Sequence, residues 1–301
     1  MKNLNLLFNK TYYEALGDGR FANSLKKHND AILNARFSES DYQPLPVAKQ
    51  TFLMKVQHPG LLVGLGYAHS AGKIDDDQVG TRELVDSEVS VGFSFDYVSG
   101  QPYLPGSSVK GILRSYFRNS PQVISALTGL DDRAVKRLER EIFEYSDVFF
   151  DAVVYDGDDY GKLIGDDYIT PHQSPTEDPV PIRILRVLPG VRFEFRFALH
   201  GDEQQIDGKM KLFKQLITLF GVGAKTSVGY GRMEEADGIR RPKLIEKPKT
   251  DAPAAARTLP QQDNRNFAIC NACGTKNFRC KPNSREQWPS WPNCRKCGRR
   301  L

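Results

Sequence analysis

Two stretches alternate large apolar and polar residues without a break, Val89-Ser-Val-Gly-Phe-Ser-Phe-Asp-Tyr97 and Val191-Arg-Phe-Glu-Phe-Arg-Phe-Ala-Leu199. A period of two puts the apolar side chains of each on one face, which predicts two half-buried strands. Shorter strands are predicted at 50–56, 61–64, 148–155, 182–188 and 227–233. The period changes after Pro105-Gly106-Ser107, where Val109, Ile112, Leu113, Tyr116 and Phe117 follow the i, i+3, i+4, i+7, i+8 spacing of an amphipathic helix with a serine as its N-cap. A second helix is predicted over 209–220, with Met210, Phe213, Leu216, Ile217 and Phe220 on its buried face and Gly221 as a C-terminal cap. Residues 121–144 read as one or two further helices. Strands and helices mixed without regular β-α alternation predict an α+β body with antiparallel sheet.

The periodicity stops in the segment 240–264, which is rich in Pro, Ala and charge and reads as a linker. It separates a body, 1–239, from a small C-terminal module, 265–301. Charge divides along the same line. Residues 241–301 carry 14 Lys/Arg against 4 Asp/Glu, so the totals of 42 and 37 leave 28 against 33 for residues 1–240. A basic tail on a mildly acidic body points to a polyanionic partner for the tail. With no apolar run near the ~20 residues that a spanning helix needs, and no secretory signal at the N-terminus, a cytoplasmic protein is expected.

The C-terminal module holds two copies of C-x-x-C-G, Cys270-Asn-Ala-Cys273-Gly and Cys294-Arg-Lys-Cys297-Gly. Two cysteines three apart on a tight turn aim both thiolates at one point, and two such knuckles complete a tetrahedron. The spacing predicts a zinc ribbon with one structural Zn²⁺ held by Cys270, Cys273, Cys294 and Cys297, leaving Cys280 as a free thiol. Closed four-thiolate coordination leaves no position for a reacting water. The pattern differs from that of the zinc nucleobase deaminases, since Asn293 separates Pro292 from Cys294 and the chain has no H-x-E partner.

In the body, Gly221-Val-Gly-Ala-Lys-Thr-Ser-Val-Gly-Tyr-Gly-Arg232 looks superficially like a phosphate-binding Walker A loop. A Walker A sequence has Gly where this chain has Ala224 and Leu219, and runs from strand to helix rather than from helix to strand, so nucleotide hydrolysis is not expected. The glycines Gly221, Gly223, Gly229 and Gly231 would leave backbone N–H groups open to phosphate oxygens, beside Lys225, Thr226, Ser227 and Arg232. On the 107–118 helix, Lys110, Arg114 and Arg118 recur at i, i+4, i+8 as a cationic stripe. A cationic glycine-rich loop and a cationic stripe in one domain favour recognition of an RNA or single-stranded DNA backbone.

Pro105-Gly-Ser-Ser-Val-Lys-Gly-Ile-Leu-Arg114 and the 221–232 loop resemble the two signature regions of the RAMP superfamily, subunits of CRISPR effector complexes. Leu62-Val-Gly-Leu-Gly66, Phe149-Phe-Asp-Ala152 and Tyr168-Ile-Thr-Pro-His172 resemble the sixth-subunit family of the Cmr, or type III-B, complex. The likeness spans roughly residues 50–235. It implies a ferredoxin-like, RRM-type body, guide-RNA binding towards the 3′ end, contact with neighbouring subunits, indirect contact with target RNA, and no catalysis by this chain. It also implies that Lys110, Arg114 and Gly221 to Arg232 carry the RNA contacts. Residues 68–85 look inserted relative to the family pattern, and the ribbon is not a general family feature.

Two other classes stay open. A metal-dependent endoribonuclease would use Asp75-Asp-Asp77, Asp158-Asp159 or Asp166-Asp167 with His69 or His172. An assembly adaptor would bind protein alone.

Overall fold

A computed structural model describes residues 3–14, 21–66, 69, 89, 91–145, 147–170, 181–240, 243, 267–269 and 276–278. The chain divides into two compact units, Met1–Ile245 and Glu246–Leu301, with the division inside the compositional linker.

The first unit is built on one antiparallel sheet. Its principal strands are β1 (Gln50–Val56), β4 (Ala152–Asp156), β7 (Arg192–Ala198) and β8 (Met233–Glu235), lying in the order β4-β7-β1-β8, with β2 (Tyr103–Leu104) outside β4 and β3 (Val148–Phe149) also pairing β7. Helix α3 (Gly106–Asn119) intervenes between β1 and β4, and α6 (Glu203–Phe220) connects β7 to β8. The chain order is therefore β1-α3-β4-β7-α6-β8. Helices α4 (Pro121–Thr128) and α5 (Asp132–Arg140) follow α3, and α1 (Leu4–Asn9) and α2 (Phe21–Leu33) precede the sheet. A separate antiparallel pair, β5 (Ile164–Ile169) and β6 (Ile182–Val187), stands between β4 and β7 in sequence. The second unit contains a hairpin of β9 (Phe267–Ile269) and β10 (Lys276–Phe278).

The alternation in β7 sends Phe193, Phe195 and Phe197 to the helical face, where Phe195 stacks on Phe52 at 5.3 Å and Phe197 meets Phe213 of α6 at 5.4 Å. The opposite face is buried too, so this strand is not half-exposed as its pattern predicts. Arg192, Glu194 and Arg196 are all under 9% exposed. They are covered by chain from both sides of the fold. The Tyr42 hydroxyl donates to Glu194 at 2.9 Å, Arg196 donates to the Gln43 carbonyl at 2.7 Å, and Arg192 donates to the Ile239 carbonyl at 2.6 Å. Arg240 lies 4.5 Å over the Tyr155 ring and Lys243 pairs with Asp156 at 2.7 Å. The body thus continues past 239 into what composition marks as linker, because those charged residues neutralise and stack on a charged sheet face. Ion pairs and cation–π contacts of this kind leave no hydrophobic period to read.

Several boundaries move for local reasons. The 148–155 stretch breaks into β3 and β4, and Asp151 from the break accepts the Gly106 N–H at 2.7 Å. That carboxylate caps α3 in place of the expected serine; Pro105 occupies the N-cap position without a side-chain bond. Helix α6 begins six residues before the predicted start, at a capping box formed by Asp202 and Gln205. The described residues of 89–97 carry isolated bridges at Val91 and at Phe95, the latter to Pro102, and no regular strand forms among them. Residues 61–64 likewise contribute one bridge, Leu61 to Val187. The 227–233 stretch is a turn of 3₁₀-helix, Thr226–Val228, before the late start of β8.

Candidate nucleic-acid interface

The glycine-rich loop leaves α6 at Gly221 and enters β8 at Met233. Gly221, Gly223 and Gly231 are fixed by geometry at close backbone approaches. Gly231 has φ +73°, and a Cβ there would lie 1.8 Å from the Val222 carbonyl oxygen; at Gly223, φ +82°, it would lie 2.5 Å from the Leu62 carbonyl oxygen. Lys225 takes the left-handed conformation at φ 56°.

Hydrogen bonds fasten the loop on three sides. Val222 N–H donates to the Gly231 carbonyl at 2.9 Å, Ala224 N–H to Leu62 at 3.0 Å, and Gly231 N–H to Gly60 at 2.8 Å. The Tyr116 hydroxyl of α3 donates to the Gly221 carbonyl, and its ring stacks on Phe220 at 4.7 Å. Burial pushes that phenol up to about 12, so it stays a donor at neutral pH. The Tyr230 hydroxyl donates to Asp167 at 2.8 Å; burial first, and then that bond, push it to about 12 as well.

Several expected N–H donors are therefore consumed internally, those of Gly221, Val222, Ala224, Val228, Gly229 and Gly231. The N–H groups of Gly223, Lys225, Thr226 and Ser227 have no protein acceptor among the described residues. They cluster at the left-handed turn on Lys225, where successive N–H groups converge as in an anion-binding nest. The side chains of Lys225, Ser227 and Arg232 are exposed beside it.

The cationic stripe of α3 is only partly available. Arg114 pairs with Glu139 at 3.3 Å and with Glu144 at 2.5 Å, and Arg118 pairs with Glu139 at 3.1 Å. Helix α5 and the turn after it supply both carboxylates, a tertiary neutralisation that spacing within α3 cannot reveal. Lys110 makes no ion pair among the described residues and sits 5.8 Å over the Phe149 ring.

The two signature regions meet. A groove of about 510 Å³ is lined by Leu62 to Gly66, by Pro105, Ser108, Gly111 and Ile112 of the α3 region, and by Gly223 and Ala224 of the loop. Gly111 opens the helix side, since a Cβ there would touch nothing within 4 Å. Sequence reasoning placed Tyr116 on the apolar face of its helix and Asp151 and Tyr230 inside family motifs, but missed that each positions these parts through a tertiary hydrogen bond, which has no periodic signature.

The groups suggested for metal or acid–base chemistry are engaged elsewhere. Asp166 pairs with Arg183 at 2.7 Å and Asp167 with Arg186 at 3.3 Å. Asp158 accepts the Tyr160 and Lys162 N–H groups at 2.9 and 2.7 Å inside its own turn. Burial raises its carboxyl above the ordinary carboxylate value. His69 is 3% exposed and stacked on Phe8 at 3.6 Å, with its ring nitrogens 2.7 and 2.9 Å from the Val89 and Phe8 carbonyl oxygens. Among the described residues no group of three His, Cys, Asp or Glu is placed to hold a metal ion. No helix among them is long and apolar enough to cross a membrane. Asp75 to Asp77, His172 and the cysteines Cys270, Cys273, Cys294 and Cys297 lie outside the described residues.

The chain is 28% identical over 171 residues to the CRISPR system CMR subunit Cmr6 of Saccharolobus solfataricus, covering 51% of this chain and 54% of that one. It thus spans about half the length of the curated relative. A chain of the type III-B Cmr-beta complex bound to cognate target RNA aligns at TM-score 0.44 and 22% identity, covering 62% of this chain and 58% of its own. Cmr6 from Pyrococcus furiosus aligns at TM-score 0.36 and 23% identity, covering 62% and 97%. The model of the RAMP superfamily matches residues 54–234, from β1 through the glycine-rich loop, and the chain belongs to that superfamily.

Proposed function

We propose that this protein is a non-catalytic, guide-RNA-binding subunit of a type III-B CRISPR effector, contacting the RNA backbone towards its 3′ end and packing beside other Cmr subunits. The single observation that carries the reading is the groove in which Leu62–Gly66, the α3 N-terminal half and the Gly223–Ala224 segment converge beside uncommitted N–H groups and Lys225. Its body is ferredoxin-like in this reading: the order β1-α3-β4-β7-α6-β8 in the chain, folded as β4-β7-β1-β8, is that of a split β-α-β unit. An RRM stacks bases on its open sheet face. Here that face is covered by residues around Tyr42 and Arg240, so the RNA path runs over the loop and α3 instead.

The test is RNA binding by the full chain across a salt series. Lys225→Glu and Lys110→Glu should each weaken binding and lower the slope of log K against log salt by about 0.7, the counterion-release value per single-strand phosphate contact. Lys136→Glu, exposed on α5, should leave both unchanged. Arg114→Glu is a poorer probe, because it would set a third carboxylate beside Glu139 and Glu144. The bound RNA should be recovered uncut in Mg²⁺ or Mn²⁺. Native affinity and salt slope in both lysine variants would refute the path. Cleavage that Asp75→Ala or His172→Ala removes would restore the endoribonuclease reading, and no salt-sensitive binding at all would favour the adaptor.

The second unit is in this reading a zinc ribbon. The supporting observation is that β9 and β10 pair in register from Phe267 opposite Phe278 to Ile269 opposite Lys276, so the connection between them carries Cys270, Cys273 and Gly274. A six-residue connection of that sequence fits a zinc knuckle. Metal analysis of the full chain should find one zinc, lost in Cys294→Ser while the body's unfolding transition is unchanged. Zinc retained in the variant, or absent from the native chain, would refute it.

A further inference from the structure

A second cavity, of about 280 Å³, adjoins the groove; Ser94 and Tyr103 line both. We propose that it is a nucleobase subsite, which receives one base turned out of an RNA strand whose backbone lies in the groove. The inference rests on the RNA-binding reading above and adds to it the recognition of a base.

The chemistry of the walls selects the ligand class. None of the lining residues is Lys, Arg, Asp or Glu, so neither a phosphate nor a cation would find a counter-charge there. Asn5 and Asn9, four apart on α1, present side-chain amides to the same cavity. Asn5 is 8% exposed, and its amide nitrogen donates to the Phe95 carbonyl at 2.9 Å, which orients its Oδ1 as an acceptor without a protein partner among the described residues. The Asn9 amide is exposed and likewise uncommitted. Side-chain amides offer a donor and an acceptor together, which matches the edge of a base.

The aromatic part is equally built. Tyr97 is 81% exposed, yet its turn is stiff: Asp96 accepts the Val98 and Ser99 N–H groups at 3.1 and 2.6 Å, and Asn3 donates to the Tyr97 carbonyl at 2.9 Å. A solvent-facing tyrosine on a braced turn beside two amides is a stacking platform with edge recognition, the usual means of holding an unstacked RNA base. The volume lies just below the ~300 Å³ at which drug-sized pockets begin, which suits a single ring system. His69 closes the wall and offers no edge of its own, because both ring nitrogens face backbone carbonyls.

The experiment titrates the full chain with a short single-stranded RNA and with a strand of equal length made of abasic ribose phosphates. Tyr97→Ala and Asn9→Ala should each lower affinity for the base-bearing RNA about tenfold, within the range of a single stacking contact for the tyrosine and of one base-edge pair for the amide. Neither should change affinity for the abasic strand or its salt slope. Equal affinities of the native chain for the two strands, or equal losses on both in the variants, would overturn the subsite while leaving the backbone groove intact. Binding of neither strand would overturn both readings. Unchanged RNA binding by Tyr97→Ala with loss of assembly into a complex would also overturn the subsite and mark the tyrosine as a protein contact.

Discussion

Asp147→Ala should lower the unfolding free energy of the body by about 3–5 kcal/mol, the cost of stranding a buried charge. The charge in question is Lys209 of α6, 3% exposed, whose Nζ lies 2.8 Å from Asp147 Oδ2, 2.8 Å from the His200 carbonyl and 3.0 Å from Glu141. Asp147 is itself fully buried and accepts the His200 N–H at 2.7 Å. Its removal leaves one partly exposed carboxylate, Glu141, facing an ammonium in a nearly dry site. The double variant Asp147→Leu with Lys209→Met removes both ions and should recover more than half of the loss, because desolvation of a buried pair offsets much of its attraction. Denaturant unfolding of the full chain measures both. A single-variant loss under about 1 kcal/mol would place the pair among surface-like ion pairs.

Gly231→Ala should lower stability by about 3 kcal/mol or more and abolish most RNA binding. Two costs add. The left-handed conformation at φ +73° opposes any Cβ by about 1–2 kcal/mol, and the new methyl would overlap the Val222 carbonyl oxygen. Relief requires opening the Val222 to Gly231 bond, which holds the two ends of the loop together and with it the N–H cluster around Lys225. Gly229→Ala is the comparison. Its φ of +100° is strained, but the nearest atom to a Cβ is Pro59 Cδ at 3.8 Å, so it should lose stability with smaller effect on the loop. Equal RNA affinity in Gly231→Ala and the native chain would mean that the loop's shape does not matter to binding.

Local pattern was a good guide where one face of an element is apolar and the other wet. The α3 helix and strands β1 and β6 stand within a residue or so of their periodic segments, and α6 ends where predicted, since hydrophobic period and burial coincide there. The pattern misled where burial is polar. The even positions of β7 read as solvent-facing and are instead buried under Tyr42, Gln43 and Ile239. Arg240 and Lys243 read as linker for the same reason. The 89–97 stretch alternates without forming a regular strand, since alternation specifies which side is apolar but supplies no neighbouring strand to pair with.

By itself the sequence determined the α3 helix, strands β1 and β6, the two C-x-x-C-G copies as a motif and the two segments that carry the superfamily likeness, because each of these is written in residues close together in the chain. Only the tertiary structure decided which cations are free. Spacing makes Lys110, Arg114 and Arg118 equivalent, yet Glu139 and Glu144 neutralise the two arginines from another element. Tertiary structure also decided which glycines are obligatory and which N–H groups remain open, through carbonyls of Gly60 and Leu62 more than 150 residues away in the chain. Electrostatic pairing and close backbone approach depend on distance in space, and neither has a period along a sequence.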